Sequence, residues 1–260
     1  MKQVHAILNL HREGQLLIPS FRSIQSNLEI LGKRGIQAGL IAVLDRPDAD
    51  TRDVIQSLQK KMNFEWTEVD FGDLSQSRNH GVQLSDAEYI GFLDGDDLWC
   101  DNWLFNCFQH AKDCEPHSIF HPSWNVVFGT KQMLFPQPDQ TQRTLTLDGL
   151  RSSNYWTALS FSRRQTYLDH PYRPNQISKG LGFEDWSWNC ETIEHGYIHR
   201  TVPETTHFIR YKEKDSLRDH TNETSCLRTP FQLVPADSPK GKRPLKPSCT
   251  TTVTETPFHF

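Results

Sequence analysis

The feature that most constrains this chain is an alternation, repeated through its first 115 residues, of short apolar runs with segments whose apolar residues recur every three or four positions. Val4 to Leu10, Leu40 to Leu44, Phe64 to Val69 and Tyr89 to Leu93 are the runs, each too short for a helix and too apolar for a loop. Between and after them, Leu17, Phe21, Ile24, Leu28 and Leu31 share one helical face, as do Val54, Leu58 and Met62, and later Leu104, Cys107, Phe108 and Ala111. Asp73 can cap a further helix through about Leu84. Strands that alternate with helices pair in parallel, because each helix is the crossover that returns the chain. The pattern predicts a doubly wound α/β unit with a mostly parallel central sheet.

Ligands of such sheets collect at the carboxyl ends of the strands. Here those ends carry Asn9 to Glu13, Asp45 and Asp94 to Asp97, so three polar clusters converge along one sheet edge. The second half is less regular. Ser118 to Phe128 and Lys131 to Phe135 predict a hairpin around Gly129-Thr130, and Thr157 to Ser162 predicts a strand. A helix should begin near Glu184, bury Trp186, Cys190 and Ile193, and end at Gly196. His199 to Val202 and Thr206 to Tyr211 read as two further strands. From about Lys214 the chain turns rich in Thr, Ser, Pro and charge, so 214–260 is expected to be a loosely ordered polar tail. The expected division is one domain over 1–213, with halves 1–115 and 116–213, and that tail.

Composition excludes several classes. A net charge of −4, with acids and bases mixed along the chain, gives no cationic field for nucleic acid. No run approaches the roughly 18–20 uncharged apolar residues of a transmembrane helix, and the start, Met1 to His5, reads as neither signal peptide nor anchor. Six cysteines without a Cys-x-x-Cys suggest neither a disulfide framework nor a zinc knuckle, and a cytoplasmic setting is expected. Cys100, Cys107 and Cys114 recur at a seven-residue spacing, which is two helical turns.

Asp94-Gly95-Asp96-Asp97 follows a buried strand, where two carboxylates one residue apart can face one divalent ion. Hard oxygen ligands suit Mn²⁺ or Mg²⁺, and such an ion could neutralise a departing diphosphate. The blander alternative is an acidic turn with Asp97 capping the next helix. A calcium loop starting at Asp94 is excluded, because Trp99 and Phe105 stand where Gly and Glu are required.

Ser77-Arg78-Asn79-His80-Gly81, followed after a spacer by Tyr89-Ile90-Gly91-Phe92-Leu93-Asp94-Gly95-Asp96-Asp97-Leu98-Trp99, resembles the donor half of a family 2 glycosyltransferase. Asn9-Leu10-His11-Arg12-Glu13-Gly14, Asp45 and Gly182-Phe183-Glu184-Asp185-Trp186 follow in that family's order, so the resemblance covers about residues 3 to 213. It implies the GT-A fold and, in most members, inversion of the anomeric centre. It also implies a nucleotide-diphosphate sugar as donor (UDP-, GDP- or dTDP-linked) and a glycan or lipid-linked acceptor.

By that resemblance Asp45 would hold the base or ribose, Arg78 would lie near the nucleotide, Asp94 would approach ribose and metal, and Asp96 would be the metal ligand. Asn9, His11 and Glu13 would join the donor site. Arg46-Pro47-Asp48 after Asp45 departs from the family's commoner acidic pair and leaves the base open. Glu184-Asp185 would be the catalytic pair, with Asp185 the general base that direct displacement requires opposite the leaving diphosphate. The alternative for the pair is an acidic first turn favoured by the helix dipole. His207, with Arg210 and Lys212 after it, falls on a late strand where some relatives place a metal- or diphosphate-contacting residue; the alternative for His207 is a satisfied sheet histidine. Trp156, Trp186 and Trp188 are either sugar platforms or core.

Other classes fit less well. A nucleotidyltransferase would need a Gly-rich phosphate loop after the first strand, where only Gly14 occurs, and no Gly-x-Gly-x-x-Gly supports a dinucleotide enzyme. A non-catalytic nucleotide-sugar or glycan-binding domain is the second reading, and the intact Asp94, Asp96 and Asp185 argue against it. Surface-polysaccharide assembly, with a lipid-linked acceptor drawing the enzyme to the inner membrane face, is the setting that the family suggests.

Overall fold

A computed structural model describes residues 2–142, 145, 147–176, 179–212 and 226–227. The strands that follow are β1 (Val4–Leu10), β2 (Ala38–Asp45), β3 (Glu65–Val69) and β4 (Tyr89–Asp94), which lie side by side and parallel in the order β3-β2-β1-β4. Every residue of β1 is buried, as a strand covered on both faces must be. The crossovers are α1 (Leu17–Lys33), α2 (Ala49–Gln59) and α3 (Leu74–Leu84). α1 buries Leu17, Phe21, Ile24 and Leu31, the stripe anticipated from spacing. Asp48 caps α2 by accepting from the Thr51 N–H at 2.9 Å, and Asp73 caps α3 by accepting from the Gln76 N–H at 3.0 Å.

The sheet continues beyond β4 through strands drawn from the second half. After β5 (Leu98–Trp99) and α4 (Trp103–Asp113) come β6 (Ser118–Gly129) and β7 (Met133–Pro136), the anticipated hairpin. Then follow α5 (Leu147–Ser152), β8 (Phe161–Arg163), α6 (Arg164–Asp169), β9 (Leu181–Gly182), α7 (Glu184–Glu194) and β10 (Ile198–Tyr211). The full order is β3-β2-β1-β4-β8-β6-β10-β5, with β7 on β6. β8 is antiparallel to both β4 and β6, while β10 runs parallel to β6. One hydrophobic core spans β1, β2 and β4 with α1, α2 and α4. A satellite of Leu145, Leu150, Trp156, Cys190 and Ile193 sits under α5 and α7.

Several expectations shift. The strand anticipated over Thr157–Ser162 is only Phe161–Arg163, and α6 begins at once. The two late strands are a single β10 whose register slips between Val202 and Thr206, where Pro203 cannot donate to a ladder and Glu204 takes φ 59°. Of the cysteine ladder only Cys107 lies within α4, with Cys100 before it and Cys114 at its end. Cys226–Leu227 (β11) pairs in parallel with Leu181–Gly182, and the rest of the anticipated tail lies outside the described residues. No helix among the described residues is long and apolar enough to cross a membrane.

Candidate active site

The carboxyl ends of β1, β2 and β4 open into a cleft of about 760 Å³. Parallel register makes this unavoidable, since Asn9 pairs with both Val43 and Asp94 and brings the three strand ends level. Asn9, His11, Glu13, Asp45, Asp94, Asp96, Arg210 and Lys212 all line the cleft. Asn9 is only 4% exposed, and neither its amide nitrogen nor its oxygen has a hydrogen-bond partner among the described residues. A buried amide in that state calls for a ligand or water in the cleft.

Asp45 serves the protein's own backbone first. Oδ1 accepts from the Phe71 and Gly72 N–H groups, each at 2.9 Å, and Oδ2 from the Asp73 N–H at 2.9 Å and the Ser77 hydroxyl at 3.0 Å. Its backbone carbonyl accepts from His11 Nδ1 at 2.5 Å, which makes Nδ1 the protonated ring nitrogen. Asp45 thus shapes the loop before α3, and a base can reach its carboxylate only by displacing one of these donors.

The turn after β4 is equally determined. A Cβ on Gly95 would meet Leu10 Cδ2 at 2.5 Å and Glu13 at 3.0 Å, so glycine stands there for close approach. Lys212 Nζ lies 2.6 Å from Asp96 Oδ2, and Arg210 Nε donates to the Asp96 carbonyl at 3.1 Å. Burial pushes the Glu13 carboxyl up; the His11 N–H that it accepts lowers it, and the Asp96 charge raises it further. Burial also raises Asp94, against the pull of Arg78. The side-chain groups that the turn itself offers to a metal, the carboxylates of Asp94, Asp96 and Asp97, are oxygen donors, the chemistry Mg²⁺ or Mn²⁺ prefers. Among the described residues no three His, Cys, Asp or Glu side chains converge on one point. An ion at Asp96 would therefore displace Lys212 and draw remaining ligands from phosphate or water.

Burial places several of the anticipated residues away from the open surface of the cleft. Arg78 does not line the cleft: its side chain is 0% exposed beneath it, with Nη2 3.1 Å from both Asp94 oxygens and Nη1 2.9 Å from Glu184 Oε1. Burial alone would drive the guanidinium's pKa down, but the two carboxylates outweigh it and keep the cation charged. His207 is also buried, with Nε2 3.5 Å from Asp97 Oδ2 and not at Asp96. Trp156 and Trp188 are core residues, each 2% exposed. Trp156 stacks on His199 at 4.2 Å and donates to the Pro138 carbonyl; Trp188 forms a three-ring cluster with Tyr167 and Tyr172, centroids 5.3 and 5.1 Å away, and donates to the His170 carbonyl. Trp186 is half-buried, packed on the satellite core with its indole N–H on the Leu150 carbonyl at 2.6 Å. Two buried indoles, each bonded to a backbone carbonyl, have no face open to a sugar.

The acidic pair opens α7 as expected. Phe183 before it takes φ 60°, a left-handed conformation costly for a bulky side chain. Glu184 accepts from Arg78 and, through Oε2, from Asn175 Nδ2 at 3.0 Å. Asp185 keeps part of its surface open, and its Oδ2 accepts from Asn154 Nδ2 at 3.2 Å. Burial, and next the Glu184 charge, push the Asp185 carboxyl up to about 7, against the pull of Arg78. A carboxylate so placed can take a proton near neutrality.

Sequence reasoning missed Asn154 and the wall Asn175, Gln176 and Lys179, which lines the cleft. That wall is fastened to α3: Asn79 exchanges two hydrogen bonds with the Tyr172 backbone at 2.8 and 2.9 Å, and the Asn175 N–H donates to Asp73 at 2.8 Å. These residues sit in loops without local periodicity, so no spacing signal marks them. The motif Ser77 to Gly81 is in effect a joint: Ser77 holds Asp45, Arg78 holds two carboxylates, Asn79 holds the wall, and Gly81 lies against Ile7.

The family model described as "Glycosyl transferase family 2" matches residues 10–167, more than half of the chain. The chain belongs to glycosyl transferase family 2. A curated relative is the Staphylococcus aureus (strain N315) poly(ribitol-phosphate) beta-N-acetylglucosaminyltransferase TarP, 26% identical over 113 residues, which are 44% of this chain and 34% of TarP. Among solved structures, S. aureus TarS 1-349 in complex with UDP-GlcNAc matches with a TM-score of 0.62 at 13% identity, covering 87% of this chain and 62% of that one. The complex of TarS 1-349 with UDP gives 0.58 at 13% identity over 85% and 69%. This family 2 chain therefore has the GT-A type fold, and it spans about a third of the length of the curated relative and about three fifths of a solved TarS chain.

Proposed function

We propose that this chain transfers a sugar from a nucleotide-diphosphate donor to an acceptor hydroxyl in surface-polysaccharide synthesis, by one displacement with inversion. The observation that carries the reading is the cleft itself. Asn9 with its unpartnered amide, the Asp94–Asp97 turn and the cations Arg210 and Lys212 all meet at the carboxyl ends of three parallel strands. Arg210 and Lys212 would balance the diphosphate by charge-assisted hydrogen bonds. Asp96 would hold a Mn²⁺ or Mg²⁺ ion that neutralises charge on the leaving diphosphate.

Asp185, lifted to about 7, would take the acceptor hydroxyl's proton as the new glycosidic bond forms. Glu184 would keep Arg78 and Asn175 in place beside it. A uridine donor carrying N-acetylglucosamine is the first to test, since TarP is named for that transfer and a TarS structure holds UDP-GlcNAc. The corresponding acceptor is a polyol-phosphate polymer, and a lipid-linked form of it would bring the reaction to the inner membrane face.

The test is calorimetric titration with UDP, GDP, CDP and dTDP, each with Mn²⁺ and with EDTA, on the native chain and on Asp96→Ala. Binding of one nucleotide that requires both metal and Asp96 supports the donor site and the ion together. Binding that ignores EDTA removes the ion from the mechanism. Failure of every nucleotide to bind overturns the transferase reading in favour of a non-catalytic glycan-binding role.

A further inference from the structure

We propose that Arg78 is a positioning residue that sets the acceptor-side pair Glu184–Asp185 against the donor-side Asp94, so that its forked guanidinium governs turnover and not donor affinity. The inference rests on the transferase reading above. Its ground is geometric. Arg78 touches no part of the cleft surface, yet it joins a cleft-lining carboxylate at the end of β4 to the first residue of α7. One arm spans both Asp94 oxygens at 3.1 Å, and the other reaches Glu184 at 2.9 Å. The Tyr172 ring lies 5.3 Å from the guanidinium carbon, and Tyr172 is itself tied to Asn79 of the same helix.

A planar guanidinium holds two carboxylates at a fixed angle, which an ammonium cannot. The donor half and the acceptor half are thereby held in one register across a joint whose guanidinium is fully buried. Asp185 follows Glu184 directly, so an error at Glu184 displaces the base. A misplacement of about 1 Å in a reacting geometry lowers a rate by roughly 100-fold.

Arg78→Lys in the full chain is the test, with UDP affinity by calorimetry and kcat and KM for transfer. The expected result is a nucleotide Kd within about 3-fold of native and a kcat lowered by about 100-fold. Glu184→Gln, which keeps shape and weakens one arm, should lower kcat in the same sense by a smaller factor. A nucleotide Kd raised in step with KM at unchanged kcat would overturn the inference and make Arg78 a donor contact. If Arg78→Lys does not fold, an unchanged kcat in Glu184→Gln overturns it instead.

Should the native chain transfer nothing, the transferase reading fails by itself, and the joint is still decided by thermal unfolding of Asp94→Asn, Glu184→Gln and the double variant. Non-additive midpoints support a shared Arg78 link, and additive midpoints refute it.

Discussion

Asp45→Asn separates a loop organiser from a nucleotide contact. In the native chain four donors, three backbone N–H groups and the Ser77 hydroxyl, converge on one carboxylate that is 6% exposed. The asparagine oxygen can keep the Phe71 and Gly72 N–H groups. Its NH₂ then faces the Asp73 N–H and Ser77. The hydroxyl can rotate to accept, but the Asp73 N–H loses its acceptor. One orphaned buried amide costs about 1–3 kcal/mol, so a loss near 2 kcal/mol is expected. For a domain of this size that is a fall of roughly 4–8 °C in melting temperature. Asp45→Ala removes both acceptor oxygens, and with them all four hydrogen bonds, and should cost about twice as much. Urea denaturation and scanning calorimetry measure both. Nucleotide affinity should fall alongside stability, because Gly72, Asp73 and Ser77 line the same cleft. An Asp45→Asn variant of native stability that no longer binds nucleotide would refute the reasoning and return Asp45 to direct base contact.

Three further outcomes follow from the same contacts. The base role proposed for Asp185 requires its ionised form, and its carboxyl is raised to about 7, so kcat should climb as pH rises through about 7 and be lost below it; a profile flat across neutrality would remove Asp185 from that role. Trp188→Ala should destabilise the fold by about 3–5 kcal/mol, measured by urea denaturation, since it removes the largest ring of the buried cluster with Tyr167 and Tyr172; loss of acceptor affinity at native stability would contradict the core placement. Gly81→Ala would set a methyl 2.6 Å from Ile7 Cγ2 and 3.3 Å from Val43 Cγ2, so a loss of about 1–3 kcal/mol is expected, and a variant as stable as the native chain would show that α3 can lift from the sheet.

The donor side was legible because its information is local. A run such as Val4–Leu10 is buried on both faces whatever its neighbours are, and parallel pairing then brings Asn9 and Asp94 level. The capping Asp73 was legible for the same reason, since a cap is satisfied within three residues. The acceptor side was less legible. α5, α6 and β5 are six, six and two residues long, too short for periodicity to register. A tryptophan beside an acidic pair looks the same in sequence whether it faces solvent or core, and only the stack of Tyr167, Tyr172 and Trp188 settles the matter.

The amino-acid order by itself determined the alternating strands and helices, the strand ends where carboxylates gather, and the acidic start of α7. These follow from apolar period and capping, which act over a few residues. Tertiary structure alone decided what the polar side chains do: Arg78 is sunk as a bridge between Asp94 and Glu184, Asp45 is spent on three backbone amides, and His207 meets Asp97. Each of those roles depends on a partner from a distant stretch of chain, or on burial that raises the cost of an unpaired charge, and neither is encoded in the spacing of nearby residues.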